Sequence, residues 1–201
     1  MPHHPPARLA LTGSLVLRQY DRYDAELVAE AVTHSLEHLH PWMSWATPEA
    51  ASAETQQQLH QERLDQAAAG ESYMYLIVES HPTTIVSSRP RSWTPPAGAG
   101  QEVLHGVCGL HRRVGPGGIE IGYWLRPESV GRGIVTAAAA ALTEAALELP
   151  DVDWVEIHCD EANTRSAGVP TRLGYRLDRV EDDGVQAPAE VGRGMIWVFP
   201  A

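Results

Sequence analysis

The sequence predicts an α+β chain of mixed α/β type, with a central, mixed and mostly antiparallel sheet of about seven strands and helices on both faces. Three observations predict it. Segments of strand and helix character follow one another in the order β-α-α-β-β-β-α-β-α-β-β along the 201 residues. Antiparallel hairpins join strands, the clearest of them around "RVGPGG". One alanine-rich helix separates two consecutive strands, which marks a parallel crossover. The length is that of one domain, so the expectation is a single domain over 1–201, with a loose N-terminus at 1–13 and a flexible surface loop at 81–101.

Each element has its own signal. "SLVLRQY" (14–20) reads as the first strand. In "DRYDAELVAEAVTHSLEHLH", Leu27, Val28, Val32, Leu36 and Leu39 recur at helical spacing, and Pro41 ends the helix. "TPEAASAETQQQLHQERLDQAAAG" reads as a second, polar helix, capped by Thr47 ahead of Pro48 and closed near Gly70. "SYMYLIVES" (72–80) is the next strand, followed by the Pro/Gly/Ser-rich stretch 81–101. "EVLHGVCGLHR" and "GIEIGYWL" form two strands around the turn "RVGPGG". A helix over 131–149 is limited by Pro150. "VDWVEIHCD" is a strand, "NTRSAGVPTRLG" a short helix closed by Gly174, and "YRLDRV" and "RGMIWVFP" are the last two strands, joined by an acidic loop.

Charge and cysteine usage exclude several classes. Fifteen Lys+Arg against 26 Asp+Glu give a formal charge of −11, which argues against nucleic acid as a partner and favours a cationic or amine-bearing one. Cys108 and Cys159 lie in separate strand-like runs, without metal-site or secreted-disulfide spacing. "MPHHPPARLA" has no apolar signal core, and no apolar run approaches membrane-spanning length, so the expectation is a cytoplasmic protein with no membrane association. "HSLEH" (34–38) matches HxxEH, an inverted zinc-protease pattern. His34 and His38 stand off the apolar stripe, however, and read as a solvated helix face, so no metal is expected.

"RPESVGRGIVTAAAAAL" (126–142) carries the chemistry. Two glycines precede a run of alanines, so the helix begins with its amides uncovered, a setting that suits a phosphate. A P-loop needs a lysine that is missing here. A dinucleotide fingerprint fits Gly131 and Gly133, with Asp160 near the required spacing, but Thr136 holds the place of its third glycine.

The stretch resembles the acyl-CoA turn of the GNAT N-acetyltransferases, Q/R-x-x-G-x-G/A, with Val130 and Val135 departing from the first and last slots. "CDEANTRSAGVPTRLGYRLDRV" (159–180) resembles the family's N-x-x-S/A segment ending in LGF/Y, through Asn163, Ser166 and "LGY". "HLHPWMSWA" (38–46) is similar to the L-x-PWM-x-W signature of the RimJ/RimL-like branch. The resemblance implies a GNAT fold and an acetyl-CoA-dependent N-acetyltransferase. The acetyl group passes to a primary amine, a peptide N-terminus or a small molecule, by direct attack in a ternary complex.

For the cofactor, the resemblance implies Trp124, Leu125 and Arg126 at the pantetheine, Gly131, Arg132, Gly133, Ile134, Val135 and Thr136 at the pyrophosphate, Asn163 on the pantetheine arm, and Arg172 facing the phosphates. On the same resemblance the thioester is expected to extend across splayed strands at 118–125 and 152–159. Glu120 is expected as the base, its pKa raised by burial; the competing reading pairs it with Arg112 or Arg113. Ser166 is expected to protonate the thiolate or else to cap its helix, because Pro170 occupies the slot of the family's usual tyrosine acid. Trp42, Trp45 and Tyr123 are expected to line the acceptor site. The departures at Val130, Val135 and Pro170 keep a second reading open, an acyl-CoA-binding or regulatory module without turnover. A homodimer is also open, for which "GRGMIWVFP" would supply a sheet edge.

Overall fold

The computed structural model describes residues 4–21, 23–80 and 102–200. The loop expected over 81–101 lies outside them. Among the described residues the strands are β1 (Arg8–Ala10), β2 (Leu15–Gln19), β3 (Ser72–Ser80), β4 (Glu102–His111), β5 (Gly118–Leu125), β6 (Trp154–Asp160), β7 (Arg176–Asp182) and β8 (Arg193–Phe199). The helices are α1 (Ala25–Leu39), α2 (Ala53–Ala69), α3 (Ile134–Leu147) and α4 (Thr164–Arg172), with a single 3-10 turn at Pro127–Ser129. They form one eight-stranded sheet in the order β1-β2-β3-β4-β5-β6-β8-β7. Every neighbouring pair is antiparallel except β5 and β6.

Three expectations are corrected. The N-terminus is not loose throughout: Arg8–Ala10 pairs with β2 as an eighth strand, fastened further by Gln19, which donates its backbone amide to the Ala7 carbonyl. Thr47 caps only a preceding turn. α2 begins at Ala53 under Ser52, whose hydroxyl accepts from the Thr55 amide, and Gly70 closes it at φ 79°. The C-terminal strand offers no sheet edge, because β8 is hydrogen-bonded between β6 and β7.

Strand alternation divides the core between the two faces. Ile119 and Ile121 of β5 and Val155 and Ile157 of β6 pack against Ala138, Ala139 and Leu142 of α3. On the other face Val28, Val32 and Leu39 of α1 meet Leu76, Val107 and Trp124. α3 can lie close on the sheet because its buried face is largely alanine, which combines high helix propensity with a short side chain. No helix among the described residues is long and apolar enough to cross a membrane.

Candidate active site

The two parallel strands pair over only three residues. Gly118, Ile119 and Glu120 of β5 match Trp154, Val155 and Glu156 of β6. Beyond that rung β5 continues against β4 as far as Leu125, and β6 against β8 as far as Asp160. A gap therefore opens between them, as expected from the sequence. A cavity of about 770 Å³ includes this gap and extends over the α1/α2 face. Glu120, Trp124, Tyr123, Trp42, Trp45, Asn163 and Ser166 all line it, so the structure brings seven of the expected site residues together.

At one end stands the glycine turn. Gly131 and Gly133 adopt φ 78° and 74°, a left-handed conformation that L side chains strain to reach. Gly133 is the N-cap of α3 and supplies no side chain, and a Cβ at either glycine would meet nothing within 4 Å. The amides of Ile134, Val135 and Thr136 are thus the first turn of a helix without a side-chain cap, beside open space. These residues fit a diphosphate. Gly131, Arg132 and Gly133 are exposed. Val130 and Val135 pack against the core instead. The turn is held from below: β4 carries an extra residue, His105, opposite the Ile77/Val78 step of β3, and its Nδ1 lies 2.8 Å from Oγ of fully buried Ser129.

The expected cofactor residues are only partly placed as foreseen. Arg126 donates its backbone amide to the His105 carbonyl at 2.8 Å, on the β4 side. Antiparallel pairing alternates, so Trp124 also directs its peptide groups to β4, and Tyr123 and Leu125 direct theirs into the gap. The Arg172 guanidinium folds back on its own helix and donates to the Gly168 carbonyl at 2.8 Å. The cap of α4 is Asn163, whose Oδ1 accepts from the Ser166 amide at 3.1 Å, so Ser166 is not the cap. The Ser166 hydroxyl is 3.1 Å from the Tyr123 hydroxyl, which places Tyr123 on the α3/α4 face of the sheet, opposite Trp42 and Trp45. Burial pushes the Tyr123 phenol well up, against the hydrogen bond from Ser166.

On the α1/α2 face, Trp45, 44% exposed, tilts against Trp124 with ring centroids 6.4 Å apart, and Trp42 and Met43 continue the wall. Glu120 lies on this face at the last paired rung. Arg113 donates from Nε and Nη2 to its two oxygens, each at 2.6 Å. Burial alone pushes the Glu120 carboxyl up; the Arg113 hydrogen bonds, with His158, the Arg113 charge and His111, outweigh it and hold the carboxyl below its ordinary range. The expected raised pKa is thereby overturned. A bidentate guanidinium favours the ionised form more than burial disfavours it.

Sequence reasoning offered Arg113 as a partner of Glu120, and the structure bears that pairing out, but it missed the histidines around the carboxylate. His158 spans the gap, with Nδ1 3.9 Å from Glu120 and Nε2 2.6 Å from Glu156, and Trp154 Nε1 donates to the other Glu156 oxygen at 2.9 Å. The alternation of "WVEIHCD", with Trp154, Glu156, His158 and Asp160 on one face, was the available signal. His111 is half-buried on the same face, its Nδ1 2.9 Å from the Ser72 hydroxyl.

Comparison with known proteins gives this arrangement a family. Residues 14–176, more than half of the chain, match the model described as the acetyltransferase (GNAT) domain. The chain belongs to the GNAT acetyltransferases. This GNAT chain is also 34% identical, over 82 residues, to the Bacillus subtilis (strain 168) protein named "Putative ribosomal N-acetyltransferase YdaF". That match covers 41% of the chain and spans 42% of the relative's length. Among solved structures, a RimL ribosomal-protein alpha-N-acetyltransferase in complex with Coenzyme A superposes with a TM-score of 0.77 at 19% identity, covering 95% of this chain and 96% of that one. Mycobacterium smegmatis RimJ in complex with CoA-disulfide gives 0.75 at 18% identity, covering 99% and 93%. At such identities the likeness is one of fold. The fold is therefore that of a GNAT acetyltransferase.

Proposed function

We propose that this GNAT acetyltransferase moves an acetyl group from acetyl-CoA to a primary amine, with a protein N-terminus as the favoured acceptor. The observation that carries it is the pairing of an uncapped, glycine-opened start to α3 with the gap between β5 and β6. Together they offer one anchor for a diphosphate and one slot for an extended thioester. The amides of residues 131–136 hold the pyrophosphate. Peptide groups of Tyr123 and Leu125, with the free edge of Asn163, hold the pantetheine arm.

When bound, acetyl-CoA supplies the thioester that is transferred. The chain supplies position and charge. Trp42, Trp45 and Trp124 form an apolar wall that orients the acceptor, and ionised Glu120 holds a cationic amine beside the gap. Ser166, hydrogen-bonded to Tyr123, stands on the opposite face, where a hydroxyl can donate to the departing sulfur. The acceptor preference is supported by the branch signature "HLHPWMSWA" and by relatives and fold neighbours named as ribosomal-protein acetyltransferases. Two free thiols, Cys108 and Cys159, agree with a cytoplasmic setting.

Calorimetric titration with acetyl-CoA, followed by a thiol-release assay over peptides beginning with Ser, Ala or Met and over small amines, tests this reading. Micromolar binding and acceptor-dependent release are expected. Binding without release on any acceptor would instead establish a binding module. The sequence has no lysine, its 15 Lys+Arg all being arginine, so acetylation of the enzyme's own lysines cannot contribute to the signal.

A further inference from the structure

Resting on the transfer reading above, we propose that His111, rather than Glu120, accepts the proton of the acceptor amine, through Nε2, with Ser72 and Glu120 as its positioning residues.

The geometry begins with two facing glycines. Gly109 of β4 and Gly122 of β5 are cross-strand partners, two rungs along from the pair His111 and Glu120 and on the same face of the sheet. A Cβ at Gly109 would lie 2.9 Å from His111 Nε2, and one at Gly122 would lie 3.4 Å from the same atom. The imidazole therefore occupies, beside Met74 Sδ, the notch that the missing side chains of the two glycines leave. Gly122 is the second residue after the last rung that β5 shares with β6, so Nε2 sits at the mouth of the gap, on the face carrying Trp42, Trp45 and Trp124.

The two ring nitrogens differ. Nδ1 is 2.9 Å from the Ser72 hydroxyl, whereas Nε2 makes no hydrogen bond among the described residues. With Nδ1–H donating to Ser72 Oγ, Nε2 carries the unshared lone pair, on a side chain that lines the cavity. Glu120 is the poorer candidate, since Arg113 occupies both of its oxygens.

The charged and polar groups around the ring are Ser72 from β3, Arg113 after β4, Glu120 from β5 and, through Glu120, His158 from β6. Tyr20, just after β2, and Arg63 of α2 line the same cavity. Burial and then the Arg113 charge hold the imidazole below the ordinary histidine range, against the opposing pull of Glu120. Neutral imidazole is thus the resting form at neutral pH.

The step balances simply. An N–H bond of the acceptor's ammonium breaks, its electron pair stays on nitrogen as the nucleophilic lone pair, and the proton bonds to Nε2. The resulting imidazolium is stabilised by the Glu120 carboxylate until it releases the proton to solvent.

The test uses the full chain, acetyl-CoA and the fastest acceptor of the thiol-release panel. His111→Gln is expected to lower kcat by about 10²-fold, the low end for a lost proton acceptor. Its Kd for acetyl-CoA should stay within about twofold of wild type. The acid limb of the wild-type kcat/KM profile, with an apparent pKa below about 6.5, should vanish in the variant. In His111→Ala, added imidazole should restore part of the rate. Nitrogen NMR of the histidines should show His111 protonated on Nδ1 at pH 7, and Ser72→Ala should move that tautomer balance with the fold intact. A His111→Gln enzyme that keeps its rate and acid limb, or an Nε2-protonated His111 in the wild type, would overturn the inference alone. Absence of release by the wild type on every acceptor would overturn the transfer reading with it.

Discussion

At Glu120 burial and ion pairing pull one carboxyl in opposite directions, and the pair wins. Arg113 is 61% exposed in its side chain while Glu120 is 9% exposed, so water screens one partner and not the other. Replacing Arg113 with Met removes the largest force opposing burial, and the Glu120 carboxyl should then rise, as carbon NMR titration of that carboxyl can follow. The loss of stability at pH 7 should be on the order of 1 kcal/mol in urea unfolding, discounted because the guanidinium is half in water. The sign with pH follows from the depressed folded value. The contribution is present above the unfolded carboxylate pKa of about 4.3 and is lost as pH falls through the lower folded one. The variant should therefore show a shallower acid slope than wild type. At this scale the alternation of "GIEIGYWL" made Glu120 legible and the hairpin put Arg113 within reach. His111 was not legible, because its place depends on the register of β3, β4 and β5 together and on two glycines that meet only in the sheet.

The start of α3 is where an element's local chemistry carries the proposed function. Gly131 and Gly133 could be read from the sequence because left-handed backbone and an uncapped helix both demand residues without a Cβ. Gly133→Ala tests the two demands separately. A Cβ there has open space, so the cost comes from positive φ alone, about 1 kcal/mol, seen as a fall of a few degrees in Tm. Weaker coenzyme A binding in calorimetry, by about tenfold, would follow from a shift of the amides that this strain produces. A variant that loses the stability but keeps the affinity would detach the turn from the ligand. β1 was illegible for the opposite reason: three residues, Arg8–Ala10, carry no period, and only β2 makes them a strand. The position of β8 inside the sheet was also hidden, since chain order does not specify strand order.

Across the whole molecule the charge distribution treats the two substrates differently. A formal charge of −11 repels polyanionic coenzyme A at long range and attracts a cationic amine. In the proposed transfer the coenzyme is gripped at contact by main-chain amides, which salt screens little, whereas the acceptor enters past Glu120 and the acidic β7–β8 loop, whose Asp183 and Glu190 line the cavity. That loop is not free to swing away. Asp160 accepts from the amides of Val191, Gly192 and Arg193, and Ala189 donates to the Pro41 carbonyl beside Trp42. The acidic rim is thus fixed to the end of α1 and keeps its field over the acceptor side. Because the Debye length shrinks to about 10 Å at 0.1 M salt, raising NaCl from low to moderate concentration should raise KM for a cationic acceptor by several-fold. The Kd for coenzyme A should stay level or fall over the same range. Initial rates on the acceptor and calorimetry on the coenzyme, taken across one salt series, measure both. An acceptor KM that falls with salt would mean that the rim does not steer the amine and that the apolar wall of Trp42, Trp45 and Trp124 governs its entry.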